Sequence, residues 1–487
     1  MTDIALDAHR APRDTGGVPA LGGVKLTLAL SGAVIVLMML FGLTMKLAQG
    51  GLVAVEPIYF YQVMTAHGIG MVGAAGLTGA AIMWFFLARY VALTGWVYNA
   101  MLGLSLAGVV CILASIFVWG FAGAWTFLYP LPAQSGGVWE PGAAAIYLLG
   151  LMLVGVGFLL FYLETGRALI QRYGSLGRAM GWPLLLTGEQ DDVPPPTVVA
   201  SAVVTLFNGL GIVVGAAVIG ISLINLYAPE FAIDALLAKN MIYFFGHVFI
   251  NASIYMAVIA VYEIIPQYTG RPWKTSRVFV GAWAATLLFV LAVYPHHLLQ
   301  DTVMPGWAMV VGQVVSYASG IPLIAVTTFS LIAYLHRSGM RWDLASALLV
   351  TGVFGWSAGS IPAILDSMIV VNKVMHNTLW VPGHFHFYLL IGEVAMVWGF
   401  MAWLTRESTG ERLAGASATS YAIYFTGGLG FVLLFLIAGA SSVPRRWAVH
   451  EPAWIGIDHI SVVFAALAIA GFAMFLVRFV RRAGTAP

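Results

Sequence analysis

Apolar runs long enough to cross a bilayer recur twelve times along the chain. They fall at about residues 25–47, 60–88, 98–122, 143–166, 197–227, 240–265, 276–299, 307–335, 344–371, 378–404, 419–440 and 455–480. Short turns rich in Gly, Pro and charge separate them. The longest polar stretch, 167–196, closes on Asp191-Asp-Val-Pro-Pro-Pro196. The pattern predicts an all-α, polytopic membrane protein with twelve transmembrane helices. No internal repeat or linker divides it, so residues 24–487 are expected to form a single helical domain. Residues 1–23 are polar, carry Arg10 and Arg13, and lack an apolar core and a cleavage site. They read as a flexible cytoplasmic tail, not a signal peptide.

Composition agrees. Hydrophobic residues make up 61% and charged residues 9%, far outside the range of soluble chains. Cys111 is the only cysteine, which excludes internal disulfides and thiolate metal clusters. If both termini share one side, that side collects seventeen of the 22 Lys and Arg residues. The other side receives five: Lys46, Lys239, Lys373, Arg445 and Arg446. The positive-inside rule then puts both termini in the cytoplasm, with the protein in the cell's inner membrane. No nucleic-acid partner is expected.

The candidate chemistry centres on the tenth run, which opens with Val381-Pro-Gly-His-Phe-His-Phe387. At about 100° per residue, positions two apart on a helix point roughly 200° apart. His384 and His386 therefore face opposite sides of one helix. A helix wedged between two flat cofactors, giving one axial imidazole to each, needs this arrangement. His67, His247, His296 and His297 fall at the same outer depth on three other runs. Scattered structural histidines have no reason to agree in depth, and imidazole is a common ligand for copper, iron and zinc. His67 and one tenth-run histidine can supply both axial ligands of a six-coordinate heme. The other can hold a second heme from one face only. His247, His296 and His297 then form a three-imidazole site opposite the open face, with Pro295 breaking the helix to aim the pair. Alone, the trio fits either a metal facing a heme or a zinc site; the two-faced helix favours hemes. A transporter or channel would explain the spans but not six histidines at one depth.

Val443-Pro-Arg-Arg-Trp447 puts Arg445 and Arg446 on the side cations avoid, which calls for an anionic partner such as heme propionates. His376 and Asn372 can hydrogen-bond the same groups. His9, His336, His450 and His459 are accounted for by positions in loops or at span ends.

From the second run through Arg446, the chain resembles subunit I of the heme-copper oxidase superfamily, most of all its B family. The resemblance rests on His67-Gly68, Phe245-Gly-His247, Pro295-His-His297, Pro305-Gly-Trp307, His376-Asn-Thr378, Val381-Pro-Gly-His-Phe-His386 and Val443-Pro-Arg-Arg446. It implies a low-spin heme b on His67 and His386, a high-spin heme on His384, and one copper ion on His247, His296 and His297. One position departs. Most oxygen-reducing members carry a tyrosine four residues after the first copper histidine, and here that residue is Asn251. Spacing of four puts Asn251 on the same helix face as His247, where its amide can bind a polar ligand but supply neither radical nor proton. Family nitric oxide reductases also lack the tyrosine, so the expectation is reduction of NO to N2O. The alternative is a terminal cytochrome c oxidase reducing O2 to water with proton translocation, its tyrosine supplied by Tyr294 or Tyr255.

Tyr255, Tyr262 and Glu263 lie progressively deeper on the sixth run, Glu263 about 24 Å below His247. With Ser316, Tyr317, Ser319, Thr327 and Thr328 of the eighth, they trace an expected proton path whose mouth is Glu263. The resemblance places the family's channel on these two helices. The chain holds neither a cysteine pair for a dicopper centre nor a Cys-x-x-Cys-His heme site. Electrons are therefore expected from a separate outer-face subunit carrying copper or heme c.

Overall fold

The computed structural model describes residues 17–410 and 416–483. His9, Arg10, Arg13, Arg412 and most of the expected N-terminal tail lie outside the described residues. Twelve helices are long and apolar enough to cross a membrane, and no β-strand occurs among the described residues. They are α1 (Leu21–Gln49), α2 (Pro57–Leu87), α3 (Gly95–Phe117), α4 (Pro141–Tyr173), α5 (Pro196–Tyr227) and α6 (Ala235–Thr269). After them come α7 (Arg277–Leu298), α8 (Gly306–Leu335), α9 (Leu344–Asp366), α10 (Trp380–Thr409), α11 (Ala418–Ala440) and α12 (Pro452–Arg482). Helices suit these segments because lipid offers no partner for a backbone N–H or C=O.

Local chemistry sets the ends. Proline opens α2, α4 and α5, where its missing N–H costs nothing. The Asp234 carboxylate accepts the Leu237 N–H at 2.7 Å, and Asp343 and Ser346 form a reciprocal capping box. Gly270 and Gly410, both left-handed, close α6 and α10. Several boundaries moved from expectation. α1 begins at Leu21, inside the stretch read as tail, and α3 stops at Phe117, short of 122. The polar stretch 167–196 is partly helical, with α4 running to Tyr173 and short helices at Leu176–Ala179 and Trp182–Leu186. α9 ends at Asp366, and a separate short helix, Ile369–Met375, carries Asn372.

Burial ranks the helices. In their most apolar windows α10, α6 and α2 are 89%, 83% and 78% buried, against 28% for α8. The central three carry four of the six histidines; His296 and His297 sit on α7. Helices in lipid approach through small residues. A Cβ at Gly79 of α2 would stand 2.8 Å from the Ser253 carbonyl of α6, and one at Gly355 of α9 would stand 2.6 Å from the Ile391 carbonyl of α10. As Pro295 predicts, the α-helical part of α7 ends at Ala292 and a 3-10 turn, Tyr294–Leu298, presents the histidine pair. Two wide π turns were not legible: Ile324–Thr328 in α8 and Phe387–Glu393 in α10. The connection from α11 to α12 is pinned above α10, with the Leu379 N–H donating to Val443 O at 2.8 Å and the Arg445 N–H to Asn377 O at 2.9 Å.

Candidate metal centre

His67 of α2 and His386 of α10 face each other with ring centroids 6.1 Å apart and planes 17° from parallel. Each Nδ1 lies against a backbone carbonyl, which can only accept. His67 Nδ1–H donates to Met38 O at 2.6 Å and His386 Nδ1–H to Pro382 O at 2.7 Å. Both rings thus keep Nε2 for a metal, with the second hydrogen bond fixing tautomer and orientation. Two imidazoles bonded at about 2 Å on opposite sides of one metal put their centroids about 6 Å apart, so this pair fits a shared iron.

On the opposite face of α10, His247, His296 and His297 bring one ring nitrogen each within 4.8 Å of one another. No carboxylate or thiol joins them among the described residues. The Ser316 hydroxyl donates to Gly312 O at 2.6 Å, so its oxygen accepts from His296 Nδ1–H at 2.8 Å and leaves Nε2 free. His297 stacks on Tyr243 at 5.2 Å. Asn251 lies where its spacing predicts, but it is bound to its own histidine. Its Nδ2 donates to the His247 carbonyl at 2.9 Å and sits 2.8 Å from His247 Nδ1, which fixes the ring's rotation. His384 faces this trio, and its Nδ1 has no hydrogen-bond partner; the nearest carboxylate oxygen, Asp366 Oδ2, is 3.6 Å away. One cavity of about 420 Å³ wraps α10 and is lined by all six histidines and Asn251.

Arg445, Arg446, His376 and Asn372 border the same cavity. Burial, then the neighbouring Arg446 charge, pushes the Arg445 guanidinium down to about 10, and its buried Nε has no partner. Burial, reinforced by both arginines, pushes His376 down to about 4. Asp366 is the only acidic residue lining the cavity among those described, and Asn372 Nδ2 donates to its backbone carbonyl at 2.7 Å. Two guanidinium groups, Arg445 partly buried and Arg446 exposed, with so little countercharge suit an anionic ligand such as a carboxylate.

One sequence assignment needs correction. His450 is not a surface loop residue: it is buried, and its Nδ1 contacts Asp458 at 2.7 Å. Lys46 is equally buried, donating to Asp458 at 2.5 Å and to Gln49 at 3.0 Å while lining the cavity beside His67. The Lys46 pairing was not legible, because Asp458 lies 412 residues away.

The expected proton path divides. Glu263 turns toward α2 and α5, contacting the Tyr90 hydroxyl at 2.9 Å, Arg89 at 3.4 Å and the Thr197 hydroxyl. Tyr262, one residue earlier, points away from them and meets the Thr327 hydroxyl at 2.8 Å. The two adjacent side chains thus serve different neighbours. Thr328 continues to Ser357 at 2.6 Å, and Ser360 donates to Ser357 O at 2.6 Å, so α9 contributes residues that sequence reasoning missed. Ser316, Ser319 and Ser360 reach the cavity; Tyr317 does not line it. Tyr255 packs among the rings of Phe207, Trp283 and Trp356. Tyr294 spends its hydroxyl on Asn240 Oδ1 at 3.1 Å and lies outside the cavity lining. Glu393, also missed, is fully buried in α10 and accepts from the Ser253 hydroxyl at 3.0 Å. A carboxyl inside an apolar run was the signal for it.

Residues 23–473 match the family model for cytochrome c and quinol oxidase polypeptide I. The chain is similar to a heme-copper oxidase subunit I+III of Aeropyrum pernix, 24% identical over 88% of this chain and 52% of that protein. It is also similar to cytochrome c oxidase subunit 1 of Thermus thermophilus, 27% identical over 44% of this chain and 41% of that protein. Cytochrome c oxidase polypeptide 1 of Halobacterium salinarum is 24% identical over 93% of this chain and 75% of that protein. The matches therefore span about half or less of the first two relatives' lengths. A solved heme-copper terminal oxidase dimer shares the fold with a TM-score of 0.77 at 19% identity, covering 95% of this chain and 84% of that one.

Proposed function

The chain belongs to the cytochrome c and quinol oxidase polypeptide I family, and from that premise we propose that it is the catalytic subunit of a B-family-like heme-copper oxidoreductase reducing nitric oxide. The observation that carries this reading is Asn251, an amide clamped to His247 where an oxygen-reducing site is expected to hold a redox-active tyrosine. The balance is two NO, two electrons and two protons giving N2O and water, with no O–O bond to break. When bound, a heme iron and a copper supply the two electrons and the surface on which two NO molecules meet.

The remaining work belongs to side chains. His67 and His386 hold a low-spin heme b, and His384 holds a high-spin heme. Met38 O, Pro382 O, Ser316 and Asn251 fix ring orientation for four of the six histidines. Arg445, Arg446, His376 and Asn372 anchor propionates. The Tyr262–Thr327 pair and the Thr328–Ser357–Ser360 series bring protons from the opposite end of the bundle. A separate subunit carrying copper or heme c docks at the histidine end, which faces away from the cytoplasm.

Anaerobic turnover of the purified complex with reduced mediator and NO, then with O2, tests this. Rapid N2O release with weak O2 uptake is the expected result; fast four-electron O2 consumption without N2O overturns it. O2 reduction is the second reading, favoured by one observation: a tyrosine on a different helix, Tyr388, lines the cavity.

A further inference from the structure

The geometry points to Lys46 as a contact of the cofactor held between His67 and His386, where its charge sets that cofactor's reduction potential. This rests on the reading of the two histidines as a heme pair, but not on which gas is reduced. Gly42, Met45, Lys46 and Gln49 all line the cavity. Their spacing of three and four puts them on one face of α1. Gly42 lets that face come close, since a Cβ there would stand 3.1 Å from His67 Cε1. Lys46 is one helical turn, about 6 Å, nearer the outer end. Its Nζ lies 5.1 Å from the centroid of the Phe435 ring, which packs edge-on against His386 at 5.4 Å. The ammonium therefore belongs to the His67–His386 side of the cavity.

Three observations separate Lys46 from an ordinary lysine at a helix end. Such a lysine complements the last carbonyls while its head stays in water. Here the side chain is 3% exposed and that of its partner, Asp458, 0%. An ammonium carries three N–H donors. Asp458 Oδ1 takes one at 2.5 Å and Gln49 Oε1 another at 3.0 Å, which leaves the third for the cavity that Lys46 lines. The pair is also fixed from behind. The other Asp458 oxygen accepts His450 Nδ1–H at 2.7 Å, and Gln49 Nε2 donates to Trp447 O at 2.9 Å.

Asp458 does not line the cavity, so the buried pair turns its positive end toward the cofactor and its negative end away. Burial keeps that field from being screened by water. A cation beside a heme favours the form that has gained an electron, and hydrogen bonding and charge around the macrocycle are the protein's means of setting its potential.

The test is a redox titration of the heme-loaded protein, read at the low-spin heme band, for Lys46→Gln, Asp458→Asn and the two together. Lys46→Gln leaves the carboxylate unbalanced and should lower the equilibrium constant for one-electron reduction at least tenfold, a downward shift of about 59 mV or more. Asp458→Asn leaves the ammonium unbalanced and should move the potential up. The double variant, which leaves no buried charge unpaired, should fall below the parent but by less than Lys46→Gln; it decides the matter if a single variant fails to assemble. A pair that only ties α1 to α12 produces no opposition of sign. Shifts of the same sign in the two single variants, or an unchanged potential in the double variant, overturn the proposal. Loss of the low-spin heme from the double variant also overturns it, because the cluster then serves helix packing alone. A parent without a six-coordinate low-spin spectrum refutes the heme reading itself, and the proposal with it. The titration needs no turnover, so none of these outcomes bears on the NO reading.

Discussion

The two faces of α10 are built from the same side chain and do opposite things. On one face His386 meets His67 across 6.1 Å, and both rings are locked by backbone carbonyls. A heme iron held by both rings, as we propose, would have no room for a further ligand, so this face would pass electrons but admit no substrate. On the other face His384 meets no facing histidine at that spacing. It looks onto three imidazoles gathered within 4.8 Å, held by Ser316 and Asn251 rather than by carbonyls. The difference lies in what stands opposite, not in the helix. Backbone carbonyls make a rigid holder; side-chain holders leave room for substrate and can be replaced by mutation.

The sharpest break is at the ligands. His386→Leu should remove one of two hemes per chain and abolish turnover, whereas His297→Leu should keep both hemes and lose the copper; pyridine hemochrome and metal analysis distinguish them. Chelating the copper from the intact protein should leave the six-coordinate low-spin spectrum untouched, and any loss of that spectrum would show the two faces to be coupled. Asn251→Leu removes the amide from His247 and should weaken copper retention about 10- to 100-fold, the usual cost of a lost orienting group. Ser316→Ala should fall at the weak end of that range, about 10-fold, read by competition with a copper chelator.

The smallest effect concerns the loop after the histidine pair. Lys239 donates to Asp301 at 2.7 Å, and this hydrogen bond holds the Asp301 carboxyl below its usual range. A depressed folded-state value means stability present above the unfolded carboxylate value, about 4, and lost as pH falls through the folded one. Asp301→Asn should therefore cost about 1 kcal/mol or less at pH 7. The gap in thermal unfolding between variant and parent should narrow as pH falls below the unfolded carboxylate value; a gap that does not narrow on acidification would contradict the assignment.

Much of this was legible along the chain. Span length, the depth of six histidines and the 200° divergence of His384 and His386 all follow from helix rise and rotation, which are local. Pro295 announced its own helix break. What the sequence could not supply was rotation of one helix against another. Adjacent Tyr262 and Glu263 looked like one path, but packing sends the first to α8 and the second to α2 and α5. Lys46 of α1 and Asp458 of α12 are 412 residues apart, and their pairing appeared only once the two helices came together.

The amino-acid sequence by itself determined twelve apolar helices and the set of imidazoles they bring to one level, because both depend on spacing of a few residues. Only the tertiary structure decided which nitrogen of each ring is left for a metal, that Asn251 serves His247, and that Tyr388 opens into the cavity. The ring contacts span from four residues, as for Asn251 and Pro382, to 29, as for Met38; they depend on side-chain rotation and on π turns that change a helix's angular register without altering its hydrophobic pattern.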